Sequence, residues 1–342
     1  MEDRKVLLSV KDLIVKFHVR GRVLTAIRGV SLDIYENESI AIVGESGSGK
    51  SVFTKTFAGM LDSNGFIDNG KIIFSDEELS DTVVKLNDNA KKVIAENKKK
   101  LDEYSKLEFG ADTYKAILEL ESEKRRRADI SKEEAEAYEK ELLELKRERT
   151  NTFNLKQTYD PSKEKDKIKE AGKKISELDT KIKTFEKEHE QKVKERANSL
   201  AHDTAYNQEF DKKMAELKAK HAQEVSAAIS AETEARNEIL AKEVYLSVGR
   251  FGFRKRMKQN NALLDALKEA MRLGVDLSDE EQRNAVFDKV TFRVKYLDEN
   301  SERLHGICIL NLANIRDGRD WSQIRGTKIA TVFQDPMTSL NP

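Results

Sequence analysis

Ile40–Met60 reads IAIVGESGSGKSVFTKTFAGM, and the fold turns on how this run is taken. Its centre, GESGSGKS from Gly44 to Ser51, fits the spacing G-x-x-x-x-G-K-[ST]. Before it stands SIAIVG, a continuous apolar run suited to a strand buried on both faces. After it, KSVFTKTFAG has helical character. A strand, a glycine loop and a helix in that order make a phosphate cradle. Gly44, Gly47 and Gly49 let the backbone curl so that peptide N–H groups converge on phosphate oxygens. The helix N-terminus adds partial positive charge. Lys50 reaches the β- and γ-phosphates of a nucleoside triphosphate, and the Ser51 hydroxyl ligates Mg²⁺. The candidate nucleotide-binding residues are therefore Gly44, Glu45, Ser46, Gly47, Ser48, Gly49, Lys50, Ser51 and Val52, with Lys50 also a candidate catalytic residue.

Working outward, LLSVKDLIVKF and LTAIRGVSLDI alternate apolar and polar residues as half-buried strands do, and NGKIIF reads as a turn followed by a strand. The character changes after about residue 75. Glycine becomes rare, and Pro161 is the single internal proline of the stretch to about residue 300. From Ile168 the apolar residues run Ala171, Ile175, Leu178, Ile182 and Phe185, a heptad seam with Lys and Glu between. An earlier charged stretch, about 85–150, carries Leu101, Tyr104, Tyr114, Leu118, Tyr138, Leu142 and Leu145 as its seam. Asp160 and Pro161 supply an N-cap and first helical position between the two. The expectation is two long helices folded back as an antiparallel coiled-coil hairpin, with arms of roughly 100 Å at ~1.5 Å per residue. The strand pattern returns in KVTFRVKYLD and GICILNLANI. The expected organisation is thus residues 1–75 and 301–342 in one α/β domain, with 76–300 as a helical insertion.

Composition narrows the setting. Of 342 residues, 36% are charged, and the mean hydropathy is -0.67. Sixty-two basic and 62 acidic residues cancel, so net charge gives no broad footprint for nucleic acid. One cysteine, Cys308, excludes an internal disulfide and suits a reducing compartment. The start MEDRKVLLSV lacks the basic and apolar regions of a secretory signal, and no run of ~18 apolar residues exists to span a bilayer. The five histidines show no metal-type spacing.

The flanks sharpen the loop. VKDLIVKF, IRGVSLDIYENESIAIVGESGSGKSVFTKTFAGML and the distal IRGTKIATVFQDPMTSLNP resemble the ATP-binding subunit of an ABC transporter, nearest the oligopeptide/dipeptide importer subgroup. The resemblance covers about residues 5–75 and 305–342 and is absent from the charged segment between. It implies a P-loop NTPase fold of ABC type, incomplete at its C-terminal side, that binds ATP and Mg²⁺. It implies membrane permease subunits and a second ATP-binding subunit as partners, at the cytoplasmic face of the membrane. It further implies that Phe17 stacks on adenine. In VFQDP it makes Gln334 the Q-loop glutamine, a candidate catalytic and Mg²⁺-contacting residue. No LSGGQ-like string and no apolar strand ending in Asp-Glu follows Gln334, so the expectation is an N-terminal piece of a longer ATPase.

Two other readings compete. Chromosome-maintenance ATPases also combine a phosphate loop with a long coil, but there the coil follows the Q-loop, whereas here it precedes VFQDP. A nucleotide-binding scaffold without turnover is the other. The charged segment is either a passive elaboration or a docking arm for an unknown partner, and RFGFRKRMKQ at 250–259 interleaves aromatics with cations.

Overall fold

The computed structural model describes residues 4–19, 22–315 and 318–332. In chain order the elements are β1 (Val6–Val19), β2 (Arg22–Tyr35), α1 (Lys50–Phe57), β3 (Gly65–Phe74), α2 (Glu77–Ser80), β4 (Asp81–Lys85) and α3 (Asp88–Ser105). Then come α4 (Ala111–Ala128), α5 (Lys132–Thr158), α6 (Lys165–His202), α7 (Thr204–Glu224), α8 (Ala231–Ser247), α9 (Phe253–Arg272) and α10 (Glu280–Phe287). The last are β5 (Val294–Glu299), β6 (Arg303–Cys308), β7 (Leu310–Asn311) and α11 (Gly318–Ile324). They fall into two compact units: residues up to Glu108 together with those from Ala228, and Phe109–Ala227.

In the first unit β1 is the centre of an antiparallel sheet of order β2-β1-β3-β7. The alternation read in the sequence holds, since Leu8, Val10, Leu13 and Val15 of β1 are buried with Ile72 and Phe74 of β3. Register slips between Val10 and Leu13, where Asp12 has φ 48. Gly70 on β3 faces this bulge at φ 104, and a Cβ there would meet Leu13 Cα at 2.6 Å. Only glycine suits that crossing.

A second sheet, β4-β6-β5, packs on helices. The Lys- and Glu-rich helices α3, α8, α9 and α10 are not a solvated stretch. They enclose a cluster that includes Leu101, Leu240, Val244, Leu263, Leu267, Met271 and Phe287. Inside it the amides of Asn97 and Asn260 bond reciprocally at 2.9 and 3.1 Å. Arg293 is 2% exposed and donates a two-pronged pair to Glu243, itself 1% exposed, from Nη2 at 2.6 Å and Nε at 3.0 Å. Asn284 takes the Arg293 Nη1 proton at 2.6 Å. A buried charge pair is tolerable only with its hydrogen bonds filled in this way.

The second unit is four helices, α4 to α7. Helices α5 and α6 run antiparallel: Arg196 pairs with Glu134, Lys146 with Glu186 and Lys174 with Glu148. All six residues of the seam from Ile168 to Phe185 are buried or half-buried. The expectation of two unbroken long helices is corrected. Ser131 starts α5 with a full capping box against Glu134, and Asp203 ends α6 and caps α7. These polar side chains satisfy backbone N–H groups in place of the preceding carbonyls, which breaks each arm. The longest piece, α6, has 38 residues, about 57 Å at ~1.5 Å per residue. Leu101 and Tyr104, expected in the seam, instead serve the cluster of the first unit.

Candidate functional site

The glycine loop sits between Tyr35, where β2 ends, and α1. Gly49 is the N-cap of α1 at φ 92, and a Cβ there would meet the Ala26 carbonyl oxygen at 2.9 Å. Gly47 also has positive φ, 82. At Gly44 a Cβ would meet Ser48 Oγ at 2.8 Å. The backbone path therefore favours glycine at Gly47 and Gly49, while at Gly44 only the Ser48 hydroxyl would have to move. Ser48 N–H donates to the Glu45 carbonyl at 3.2 Å and closes the turn.

The Lys50 ammonium folds back across this loop. It donates to the carbonyls of Gly44 and Glu45, both at 2.7 Å, and to Ser48 Oγ at 3.5 Å. No side chain caps α1, and its first turn holds no acidic residue. Among the described residues the N–H groups of Lys50, Ser51 and Val52 find no acceptor. An anion fits this set: orphaned donors, a helix N-terminus and a lysine whose partners are weak carbonyl acceptors. Glu45, Ser46 and Ser51 are exposed, with Ser51 one residue into the helix.

Helix α1 is held from below. Phe53 is buried and meets Phe57 edge-on with ring centroids 4.6 Å apart. At the other end Arg325 Nε donates to the Ala58 carbonyl at 2.7 Å, and Arg325 Nη2 donates to Gly59. The Trp321 ring lies under the guanidinium at 4.8 Å and packs against Gly59. A cation on the last carbonyls complements the helix dipole. This contact joins positions 267 apart in sequence and brings the distal IRGTKIA phrase against the phosphate-loop helix. Sequence reasoning missed Arg325 as a functional support, since nothing local announces its partner.

Other expectations fare differently. Ile40, Ile42 and Val43 form no strand, and they are 39%, 40% and 90% exposed. A doubly buried strand needs a partner on each edge, and among the described residues no strand pairs with this segment. Phe17 is half-buried in β1 with its ring against Gly65. Its exposed neighbour His18 stacks on Phe66, with centroids 4.9 Å apart. Gln334 lies outside the described residues. Burial pushes the Cys308 thiol up to about 12, which keeps it protonated and unreactive. Among the described residues no cluster of His, Cys, Asp or Glu has the arrangement of a metal site, and no helix is long and apolar enough to cross a membrane.

The family pattern described as ABC transporter matches residues 27–250, more than half of the chain. The chain belongs to the ABC transporter family. Its ATPase domain is of the P-loop kind, with mixed helix and sheet. Three relatives show what the chain is similar to over its matched stretch. The oligopeptide transport ATP-binding protein AmiE of Streptococcus pneumoniae serotype 4 is 54% identical over 79 residues, 23% of this chain and 22% of that protein. The dipeptide transport ATP-binding protein DppD of Lactococcus lactis is 47% identical over 81 residues, 24% of this chain and 23% of that one. Its namesake in Bacillus subtilis is 44% identical over 73 residues, 21% of this chain and 22% of that one. The chain thus spans less than a quarter of the length of these curated relatives.

Proposed function

We propose that this ABC transporter chain is the nucleotide-binding part of an ATP-binding subunit that powers uptake of oligopeptides or dipeptides. The observation that carries the nucleotide reading is Lys50 folded over the loop carbonyls beside the unpaired N–H groups of Lys50, Ser51 and Val52. ATP supplies the phosphoanhydride bond whose cleavage drives transport. The chain's own part is to hold the triphosphate. The N–H groups of Lys50, Ser51 and Val52 and the Lys50 ammonium would hold the phosphates, and the Ser51 hydroxyl would be a ligand for Mg²⁺. Phe17, or His18 beside it, would stack on the adenine, and Gln334 is the further candidate for contact with Mg²⁺. Turnover belongs to the complete subunit, paired with a second ATP-binding subunit and docked on a membrane permease at the cytoplasmic face. Residues 109–227 then form an inserted antiparallel coiled-coil arm that offers a docking surface to a further partner. The transport reading is supported by the names of the relatives.

The test of the site is titration of the full chain with Mg²⁺-ATP. Lys50→Ala is expected to weaken binding about tenfold to a hundredfold, the worth of one charge-assisted interaction. Unchanged affinity would overturn the cradle. The transport reading is tested separately by uptake of labelled dipeptides and oligopeptides after disruption of the gene. Uptake at the parental rate for both would remove it.

A further inference from the structure

We propose that the open edge of β4, with the cavity beside it, binds a short free oligopeptide as an added strand. β4 ends its sheet, and among the described residues no strand pairs with its outer edge. Leu86 N–H donates to the Glu302 carbonyl at 2.7 Å, so the backbone of residue 86 faces β6. Backbone groups alternate sides along a strand. Thr82 and Val84 therefore also face β6, while Val83 and Lys85 present N–H and C=O outward. Among the described residues these outward groups have no hydrogen-bond partner. A row of unpaired donors and acceptors is complementary to an extended backbone.

A cavity of about 550 Å³ accompanies this edge, and every β4 residue from Asp81 to Lys85 lines it. Successive side chains of a strand point to opposite faces, so a cavity that reaches all five runs along the edge. Phe292, Leu310 and Ile324, all buried, give the lining an apolar part. Arg256, also in the lining, is turned to the carbonyls of Gly249 at 2.7 Å and Phe251 at 3.2 Å, and so fixes the turn before α9. Asp320 and Arg250, a further pair of the lining, engage each other at 2.9 Å.

Charge selects the occupant. At the start of β4, Asp81 accepts from His305 Nε2 at 2.7 Å through Oδ1 alone, which leaves Oδ2 open. His305 is shared with Asp298, so this end stays negative. At the other end Lys85 stands opposite Arg303 across the ladder, and both are exposed. Neither makes an ion pair among the described residues, not even with Asp88 or Glu302, the acids nearest them in sequence. The two ends are about 13 Å apart at ~3.3 Å per residue, the span of roughly five extended residues. A free peptide of that length, lying parallel to β4, sets its ammonium by Asp81 and its carboxylate by Lys85. The side chain opposite Val84 then faces the apolar lining. An internal segment of a folded partner carries neither terminal charge.

The test is calorimetric titration of the full chain with the free pentapeptide Thr-Val-Thr-Val-Thr, with amide exchange read in parallel. Binding is expected, and exchange should slow at the Val83 and Lys85 N–H groups. Acetylating and amidating the peptide ends should weaken binding by at least about tenfold, and Lys85→Glu should do the same. Val83→Pro removes an outward N–H that β6 does not use, so binding should be lost while β4 stays paired. Gln323→Trp, on an exposed residue of the lining, should exclude the peptide by filling the cavity, a second check that leaves β4 untouched. No binding, equal binding of the blocked peptide, or binding that Lys85→Glu retains would each overturn the proposal. So would self-association that Val83→Pro abolishes, without peptide binding, since the edge would then belong to a second copy. Lys50→Ala should leave peptide binding unchanged, which keeps this test apart from that of the nucleotide site.

Discussion

Charged sequence of one kind ends in two different environments. In α3, α8 and α9 it wraps a continuous apolar cluster, with Leu101, Val244, Leu263 and Leu267 fully buried. In α4 to α7 the buried apolar residues are Ala111, Ile117, Ala171, Leu178, Ile182 and Met214, a thin seam. The pairs across it, such as Lys174 with Glu148 at 2.8 Å, are solvent-exposed and screened, so they add little. Stability in the first region comes from a closed core with filled polar bonds. In the second it comes from a line of small contacts and well-capped helices, so damage there should stay local.

The largest expected effect is in the closed core. Glu243→Ala leaves the Arg293 guanidinium buried without its carboxylate, and about 3–5 kcal/mol should be lost in urea unfolding. A loss under about 1 kcal/mol would mean that the pair is open to water. Next comes Leu178→Ala in the seam. A loss of about 2–3 kcal/mol is expected, with hydrogen exchange quickening in α5 and α6 alone. If Mg²⁺-ATP affinity fell with it, the contrast between the two regions would fail.

Arg325→Ala should cost about 1–2 kcal/mol by uncapping α1, and amide exchange should rise at its last turn. Arg325→Lys should restore only part, since one ammonium cannot span two carbonyls as the fork does. The smallest effect concerns pH. His305 Nε2 lies 2.7 Å from Asp81 and Nδ1 lies 3.2 Å from Asp298, which raises its pKa above 6.5 and ties both edge strands to β6. A raised folded value means the clasp contributes fully below about pH 6.5 and is lost as pH rises through the folded value. Urea midpoints from about pH 6 to about pH 8.5 should therefore drift downward, and His305→Gln should flatten that drift.

Much of the candidate site's backbone geometry was legible because its information is local. Glycines forced into positive φ, a lysine that reaches back over its own loop and an uncapped helix start lie within nine residues, Gly44 to Val52. The three N-terminal strands were legible for a similar reason, since alternation reports a face buried against the next strand. The run Ile40–Val43 misled because an apolar run states a need for neighbours without supplying them. The helices α3, α8 and α9 misled in the opposite sense, because Lys and Glu on the outer faces masked the inward Leu and Val.

By itself, then, the sequence announced the phosphate loop, the β1–β2–β3 alternation and the heptad seam, each through a spacing a few residues long. Only the tertiary structure decided that Arg325 caps the helix of that loop, that Arg293 finds Glu243, and that Arg256 turns in. Those outcomes depend on which distant surfaces exclude water from one another, and no spacing along the chain encodes that.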